Sequence, residues 1–272
     1  MNYFEKLFSL AGKTALVTGG SSGIGRMIVE GLVMAGAHVL IVSRKREACE
    51  QTADEINAIG APGHARSFPA DISTQDGVAS LVAATKSEFE ALDILVNNAG
   101  RTWGASFDSF PYDAWDRVLS VNLTAMFTLI QGLLPLLKAG ARAEDPSRVI
   151  NLGSIVGSQP LGNNAYSYAA SKAGVHHITR ILANELAASH VTVNALAPGP
   201  FESRMMAFAT SDAARRARLI ASVPLGRLGI PSDIAAALLY LCGAGGSYVS
   251  GAVLPIDGGK HVSIPTGASD DE

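Results

Sequence analysis

Short apolar runs alternate along the chain with longer segments whose apolar positions repeat at helical spacing. The runs are brief and nearly continuous, as in strands of a parallel sheet that is covered on both faces. Predicted strands are 14–18, 38–42, 64–68, 94–96, 148–152, 191–195 and 252–256. Predicted helices are 24–35, 46–59, 74–90, 112–137, 165–188, a short one within 198–223, and 232–242. This strict alternation predicts an α/β fold, a single-domain Rossmann-like doubly wound parallel sheet of about seven strands with helices on both faces.

The pattern runs through most of the chain without a break. No linker rich in proline or serine divides it, so residues 1–260 are interpreted as one domain. Residues 261–272 are polar, end in three acidic residues, and are expected to form an exposed tail.

Polar or unusual residues follow the predicted strands at the point where each strand ends. They are Thr18, Ser43, Asp71, Asn98, Ser154 and Pro198. Right-handed crossovers place the carboxyl ends of parallel strands at one edge of the sheet, where ligands bind near the switch in strand order. We therefore expect these residues to converge on one site.

A glycine-rich turn, TGGSSGIG from Thr18 to Gly25, joins the first strand to the first predicted helix. Glycines let the backbone approach a pyrophosphate, and the helix N-terminus offers free N–H groups. The spacing GxxxGxG differs from the GxGxxG fingerprint, and a tight strand-to-helix connection is the alternative explanation. The strand-turn-helix context favours dinucleotide binding. The predicted contacts are Gly19, Ser21, Ser22, Gly23, Ile24 and Gly25.

The end of the second strand indicates which dinucleotide. A carboxylate there binds the ribose diol of NAD, whereas basic residues accommodate the 2'-phosphate of NADP. This chain has Ser43, Arg44, Lys45 and Arg46 in sequence, with no acid before Glu47. The pattern predicts NADP(H), with Ser43, Arg44 and Lys45 as contacts; a solvated run of charge is the alternative.

The predicted helix 165–188 contains a tyrosine and a lysine four residues apart, Tyr168 and Lys172. Residues at this spacing share one helix face, and a nearby ammonium favours the ionised form of a phenol. We therefore expect Lys172 to lower the pKa of Tyr168 so that it exchanges a proton near neutral pH. Tyr166 lacks such a partner, because Ala170 stands four residues after it. An ordinary surface pair is the alternative.

Composition narrows the class of protein. The 272 residues carry a net charge of −3 and are 48% hydrophobic, which allows a large core and gives no indication of nucleic acid or an anionic membrane as partner. Cys49 and Cys242 belong to no metal-ligand spacing and are expected to be free buried thiols in a reducing compartment. The first ten residues lack the long apolar run of a signal peptide, and no segment of 18 apolar residues that could span a bilayer is expected. A soluble, cytoplasmic protein follows from these features.

Taken together, the motifs resemble those of the short-chain dehydrogenase/reductase family. They are TGGSSGIG, Asp71, NNAG at 97–100, Asn122, Ser154, Tyr168-xxx-Lys172 and Pro198-Gly199, and the resemblance spans about residues 9–259. Within the family the chain is most similar to bacterial 3-oxoacyl-ACP reductases, particularly the branch associated with rhamnolipid synthesis.

The resemblance implies a role for each catalytic position. Tyr168 would donate a proton to the carbonyl oxygen during reduction, and Lys172 would lower its pKa and hold the nicotinamide ribose. Ser154 would hydrogen-bond the substrate oxygen, and Asn122 would anchor a water linked to Lys172. In isolation Ser154 could instead form a turn and Asn122 could satisfy a helix bend. His176, one turn beyond Lys172, is interpreted as helix surface or packing, like its neighbour His177.

The resemblance also implies the remaining cofactor contacts. Asp71 and Ile72 would lie at the adenine, although Asp71 could simply cap a helix. The other contacts are Asn98, Ala99 and Gly100 at the adenosine ribose, and Pro198, Gly199, Phe201 and Ser203 at the nicotinamide side.

Substrate and partners are less constrained by the sequence. A lid at 201–223, with Met205, Met206 and Phe208, would suit an acyl chain or another hydrophobic ketone. An acidic acyl carrier protein would dock on a basic rim, with candidates Lys138, Arg142, Arg204, Arg215, Arg216 and Arg218. Three functions stay open: a 3-oxoacyl thioester reductase, an NADP-dependent dehydrogenase of a secondary alcohol, cyclic ketone or sugar, and a non-catalytic NADP-binding regulator. The resemblance further implies a homotetramer.

Overall fold

Seven parallel strands form one sheet in the computed structural model, which describes residues 2–160, 164–202 and 212–263. The strands are β1 (Thr14–Thr18), β2 (His38–Ser43), β3 (His64–Pro69), β4 (Ile94–Asn97), β5 (Ser147–Leu152), β6 (Val191–Pro198) and β7 (Val253–Ile256). Their order is β3-β2-β1-β4-β5-β6-β7, and every pairing is parallel. The order reverses between β1 and β4, which is the switch point of a doubly wound sheet. The predicted fold class is confirmed.

The helices cover both faces of the sheet. They are α1 (Tyr3–Phe8), α2 (Gly23–Met34), α3 (Arg46–Asn57), α4 (Gln75–Glu88), α5 (Asp113–Leu119), α6 (Met126–Gly140), α7 (Tyr166–Glu185), α8 (Ala213–Ala221) and α9 (Pro231–Cys242). One buried cluster joins α2, α3 and α9 to the sheet, and a second joins α4, α6 and α7 to the opposite face. Successive β1 residues alternate between the clusters, since Ala15 and Val17 belong to the first and Leu16 to the second. This is the pattern expected of a strand buried on both faces.

Two elements differ from the sequence expectation. Helix α1 was not predicted; it is a short turn of helix that begins with a capping box between Asn2 and Glu5. The single helix expected over 112–137 is divided into α5 and α6 by a π-helical segment, Ser120–Ala125. The pattern of apolar positions continues through the insertion, so periodicity alone does not reveal it.

The expectation of no membrane-length apolar segment is wrong for one helix. The continuous helical stretch Asp113–Gly140 has 28 residues, with a mean hydropathy of 1.5 in a window that is 39% buried, and is long and apolar enough to cross a membrane. A core helix of a water-soluble protein passes the same test. Here Leu129, Ile130 and Leu133 of α6 are buried in the second cluster against the sheet, so length and composition are weak evidence for a membrane span.

An ionic network closes the edge of the sheet opposite the switch point. The Lys13 ammonium donates to Asp93 Oδ1 at 2.8 Å and to Asp145 Oδ2 at 2.6 Å. Arg148, with its side chain 1% exposed, donates to Asp145 Oδ1 at 2.6 Å and to the Gly243 carbonyl at 3.2 Å. Asp145 therefore ties the loop before β5 to β1 and to the end of α9.

The position of the end of α6 shows that two of the predicted docking residues are far from the expected site. Lys138 lies in the last turn of α6, and the Arg142 amide donates to the Asp145 carbonyl. Both therefore lie at the amino-terminal edge of the sheet, away from the carboxyl ends of the strands. They do not contribute to a rim around a site at the switch point.

Candidate active site

A cavity of about 920 Å³ opens at the carboxyl ends of the central strands. Three of the four predicted catalytic residues line it, Ser154, Tyr168 and Lys172, whereas Asn122 is buried behind it. The predicted cofactor contacts that line it are Gly19, Ser21, Ser22, Gly23, Ile24, Gly25, Ser43, Arg44, Lys45, Asp71, Ile72, Asn98, Ala99, Gly100, Pro198, Gly199 and Phe201. Ser203 lies outside the described residues, as do Arg204, Met205, Met206 and Phe208. The expected convergence at one edge of the sheet is observed.

Glycines are required at defined points of the turn after β1. Gly19 and Gly23 have φ angles of +67° and +53°, in the left-handed region that side chains disfavour. At Gly25 the limit is space, because a Cβ would collide with the Gly19 carbonyl and the Asn98 amide. The turn therefore brings bare backbone to the cavity wall.

The N-terminus of α2 faces this cavity with its amide groups unshielded. Ser22 occupies the N-cap position in an extended conformation, and its side chain makes no capping hydrogen bond within the described part of the chain. The first amides of a helix lack intrahelical acceptors and favour an anion. An anionic group placed here would complete their hydrogen bonding.

Thr18 and Asn98 hold the ends of β1 and β4 together at the switch point. The Thr18 hydroxyl accepts from the amides of Asn98 and Ala99, each at 3.0 Å. In return, Asn98 Nδ2 donates to the carbonyls of Thr18 and Gly19 at 2.9 and 3.1 Å. The Asn98 side chain thus shapes the glycine turn from below.

Basic side chains dominate the end of β2. Arg44 and Lys45 are exposed, and neither has an ion pair within the ranges that the structure describes. The nearby carboxylate is Asp71, which accepts from the Ser73 amide and hydroxyl at 3.0 and 2.7 Å. Burial raises the pKa of Asp71, but these hydrogen bonds and the charges of Arg44 and Arg101 outweigh it, so the pKa lies below its usual value. Helix α4 is capped by a different residue, Thr74.

Lys172 lies beneath Tyr168 with its ammonium buried. Its Nζ donates to the Leu152 carbonyl at 2.5 Å and lies 5.6 Å from the centre of the Tyr168 ring. Burial lowers the pKa of Lys172 to about 8. The lysine is directed at a backbone carbonyl and the ring face, not at the phenol oxygen.

The expected direction of the Tyr168 pKa shift is therefore wrong. Burial raises the pKa of Tyr168 above its usual value, and a hydrogen bond with Ser154 offsets this in part. The helical spacing correctly places the lysine beside the tyrosine, but it does not show how deeply both side chains are buried. At neutral pH the phenol is protonated, which suits a proton donor.

Asn122 projects from the π-helical segment into the protein. Its Oδ1 accepts from the Arg101 amide at 2.8 Å, and its Nδ2 donates to the Arg101 carbonyl and to Ser171 Oγ, both at 2.9 Å. These bonds fix the strand-end segment that carries Gly100. The role of Asn122 in anchoring a water stays a prediction.

Sequence reasoning missed several residues of the site. His176 is 3% exposed and its ring contacts the Ser154 backbone, so its interpretation as packing omits a polar contact. The signal was present, because 168, 172 and 176 continue one row at i, i+4 spacing on α7. Arg101, Val156 and Lys260 also line the cavity, whereas Leu219, which lines it too, lies in the predicted lid 201–223. No motif pointed to Lys260, which reaches the site from beyond β7.

Together, the fold and the cavity define an α/β oxidoreductase with a dinucleotide-type turn and a Ser-Tyr-Lys group. A family model described as enoyl-(acyl carrier protein) reductase matches residues 19–261. The chain belongs to the short-chain dehydrogenase/reductase family, which confirms the resemblance of the motifs.

Individual relatives are similar over nearly their whole length. A rhamnolipids biosynthesis 3-oxoacyl-[acyl-carrier-protein] reductase of Pseudomonas aeruginosa is 48% identical over 94% of this chain and 98% of its own. A 2-dehydro-3-deoxy-D-gluconate 5-dehydrogenase of Escherichia coli is 33% identical over 93% of this chain and 96% of its own. Among solved structures, a Pseudomonas aeruginosa RhlG/NADP active-site complex matches with a TM-score of 0.91 and 47% identity, over 94% of this chain and 99% of that one.

Proposed function

We propose that this protein is an NADPH-dependent carbonyl reductase that delivers hydride to the ketone of a 3-oxoacyl thioester. The observation that carries the proposal is the convergence of Ser154, Tyr168 and Lys172 on the cavity whose other end is the glycine turn and the basic end of β2. The relative that is 48% identical is named as a reductase of this type.

The residues present fit NADP(H). The amides at the start of α2 and the close backbone approach at Gly25 suit the pyrophosphate. Arg44 and Lys45 suit the 2'-phosphate, because both charges are exposed at the end of β2 where an NAD site would carry a carboxylate. The similar solved structure is an NADP complex, which agrees with this assignment.

The mechanism needs a proton donor, an oxygen-binding hydroxyl and an oriented hydride source. When bound, NADPH supplies the hydride. Tyr168 is protonated at neutral pH and donates its proton to the carbonyl oxygen, while the Ser154 hydroxyl hydrogen-bonds the same oxygen as negative charge develops. The buried Lys172 ammonium places positive charge beneath the Tyr168 ring and stabilises the phenolate that the proton transfer leaves.

Substrate choice rests on the outer half of the cavity. Val121, Val156 and Leu219 provide apolar walls, and Lys260 provides a cation at the same cavity. Burial lowers the pKa of Lys260, and its Nζ is held by the Ser222 carbonyl and hydroxyl at 3.2 and 2.6 Å. A fixed cation beside apolar walls suits an acyl chain that carries an anionic group, such as the phosphates of a coenzyme A or carrier-protein thioester.

The same cation supports the second candidate, a dehydrogenase of a sugar acid, whose carboxylate it could bind. The gluconate-type relative of Escherichia coli points in that direction at lower identity. A non-catalytic NADP-binding regulator is disfavoured, because such a protein needs no Ser-Tyr-Lys group in its cavity.

The basic rim on which an acidic carrier protein would dock has fewer available charges than the sequence predicted. Arg215 pairs with Asp212 and Arg216 pairs with Glu202, so these two charges are partly neutralised. Arg218 lies one turn before Ser222, the residue that holds Lys260. We infer that Arg218 and Lys260 form the basic side of the entrance.

The assembly and location belong to the same proposal. We propose a homotetramer in the cytoplasm. Exposed aromatic and aliphatic side chains on two separate regions of the surface support the tetramer. They are Trp115, Phe127 and Ile181 on α5 to α7, and Tyr240 and Tyr248 at and after α9.

The test is a panel of carbonyl substrates followed by NADPH oxidation. Acetoacetyl-CoA and longer 3-oxoacyl thioesters are compared with three other kinds of substrate: keto sugar acids, cyclic ketones and an enoyl thioester. We expect kcat/KM to favour 3-oxoacyl thioesters by about 100-fold, equivalent to about 2.7 kcal/mol of transition-state discrimination. A preference for the sugar acids would establish the second candidate, and the absence of turnover on every carbonyl would reject an enzymatic role.

A further inference from the structure

His176 lies directly behind the catalytic serine, although no step of the proposed mechanism uses it. Its Nε2 accepts from the Ser154 amide at 3.4 Å, and its Nδ1 lies 3.2 Å from Ser158 Oγ. The ring therefore bridges the two ends of the short segment 154–158, which follows β5 and contains the turn of helix Ile155–Gly157.

Gly153 provides the space that the ring occupies. A Cβ at this position would collide with Nε2 of His176 and lie 3.2 Å from the Leu196 carbonyl. A side chain at 153 and an imidazole at 176 are thus mutually exclusive without movement of the backbone that carries Ser154.

The hydrogen bonds define the state of the ring. Since Nε2 accepts from an amide, it carries no proton, and a neutral ring then has its proton on Nδ1 and donates to Ser158. Burial, with the charges of Arg180 and Lys172 on the same helix, lowers the pKa of His176 to about 4. The segment opposite faces the ring with the Ser154 amide and the Ser158 hydroxyl, so the neutral form persists at neutral pH.

We infer that His176 is a positioning residue for Ser154: its imidazole fixes the backbone of the serine so that Oγ meets both Tyr168 and the substrate oxygen. The inference rests on the proposed function. Ser154 Oγ also accepts from the Val156 amide at 3.4 Å, a long contact that leaves its position dependent on the backbone. A displacement of about 1 Å at a catalytic group can cost about 100-fold in rate.

A double-mutant cycle tests this role through kinetics. His176→Leu keeps much of the ring volume and removes both hydrogen bonds, and we expect kcat for ketone reduction to fall about 10-fold or more with KM for NADPH within about 2-fold. His176→Gln keeps an acceptor near the Nε2 position and should recover most of the rate. The matched control is His177→Leu, the exposed neighbour on α7, which should leave kcat unchanged.

The same His176 substitution made in an enzyme that lacks the Ser154 hydroxyl distinguishes positioning of Ser154 from simple packing. In a Ser154→Ala enzyme, His176→Leu should cause no further loss beyond about 2-fold, because the group that it positions is already absent. An equal loss in both backgrounds, or no loss in the wild-type background, would overturn the inference.

A second measurement needs no turnover. In ¹⁵N-histidine-labelled protein, the signals that disappear in His176→Leu are those of His176. In the wild type they should report a proton on Nδ1 and an unprotonated Nε2 from pH 8 down to pH 5. A proton on Nε2, or titration near the usual pKa of about 6.5, contradicts the inference. If the wild-type protein reduces no carbonyl, the proposed function fails while this spectrum still decides the state of the ring.

Discussion

Tyr168 is protonated in the resting site because burial outweighs the stabilising contacts of its phenolate. In the proposed mechanism such a group acts as the acid, so reduction would have its proton donor in place across neutral pH. Alcohol oxidation by the same residue would need the phenolate, so we expect its rate to increase as the pH rises towards and beyond 10, the usual pKa of tyrosine. The direction of the shift thus favours the reductive reaction at neutral pH.

Replacement of Tyr168 by phenylalanine removes the proton and leaves the ring. We expect Tyr168→Phe to lower kcat for ketone reduction by at least about 1,000-fold, because both general acid catalysis and an oxygen-binding hydroxyl are lost. The Kd for NADPH should stay within about 3-fold. Stopped-flow turnover and fluorescence titration of NADPH measure the two quantities; substantial activity in the variant would contradict the assignment.

Arg44 and Lys45 provide a second test at the scale of single residues. Charge-assisted hydrogen bonds contribute about 1.5–3 kcal/mol, so Arg44→Ala with Lys45→Ala should reduce kcat/KM for NADPH by about 10- to 100-fold and leave the value for NADH unchanged. The matched control is Arg46→Ala, since Arg46 points to Glu50 at 3.5 Å. An equal loss with both cofactors would show that the two residues do not bind the 2'-phosphate.

For single residues, the sequence predicts which side chains belong to the site better than it predicts their burial and hydrogen-bond partners. Helical spacing was enough to pair Tyr168 with Lys172, and the position after β2 was enough to single out Arg44. It was not enough to show that the Lys172 ammonium points to the Leu152 carbonyl, or that His176 meets the Ser154 amide. Those contacts join residues from different elements, and periodicity within one element does not define them.

Among the elements, the strands and their order of appearance were predictable because each is an apolar run between turns. The π-helical segment was not predictable, because buried positions still recur every three or four residues across it, at Val118, Asn122, Ala125 and Leu129. The network at the opposite edge was also not predictable, since Lys13, Asp93 and the neighbouring pair Asp145 and Arg148 come from three distant parts of the chain.

That network gives a prediction for stability. Asp145→Asn would leave Arg148 without its carboxylate partner, and the Arg148 side chain is 1% exposed. Because Asp145 itself is 40% exposed, we expect a loss of about 2 kcal/mol in the free energy of unfolding, within the range for a charge-assisted hydrogen bond. Urea denaturation measures it, with Asp54→Asn as an exposed control on α3.

The pH dependence of this difference has a defined sign. Burial raises the pKa of Asp145, but the hydrogen bonds and charges of Lys13 and Arg148 outweigh it and hold the pKa below its usual value. A carboxylate with a lowered pKa in the folded state stabilises above its unfolded pKa of about 3.9 and loses this contribution as the pH falls through the folded value. The advantage of the wild type over Asp145→Asn should therefore be constant from pH 6 to 8 and diminish below about pH 4. A difference that grows on acidification would contradict the network.

At the scale of the whole molecule, exposed apolar residues are the feature that the single chain does not explain. Helical stretch Asp113–Gly140 is apolar enough to suggest a membrane span, yet one side of it packs on the sheet. Phe127 on its outer side is 41% exposed, and Tyr248 on a different region is fully exposed. Contiguous exposed apolar surface marks an interaction site, and two independent self-complementary surfaces generate a tetramer with two-fold axes.

Light scattering tests this assembly against a membrane role. In the proposed tetramer a second copy covers the exposed apolar face of α5 and α6. In detergent-free buffer we therefore expect a particle of about four times the 28.2 kDa of one chain. Phe127→Arg should halve that mass by placing a charge in one interface while the other persists. Ile59→Arg is the matched control, since Ile59 is 49% exposed after α3 and lies away from both surfaces. A monomeric wild type, or a protein that stays in solution only with detergent, would mean that something other than a second copy covers this helix.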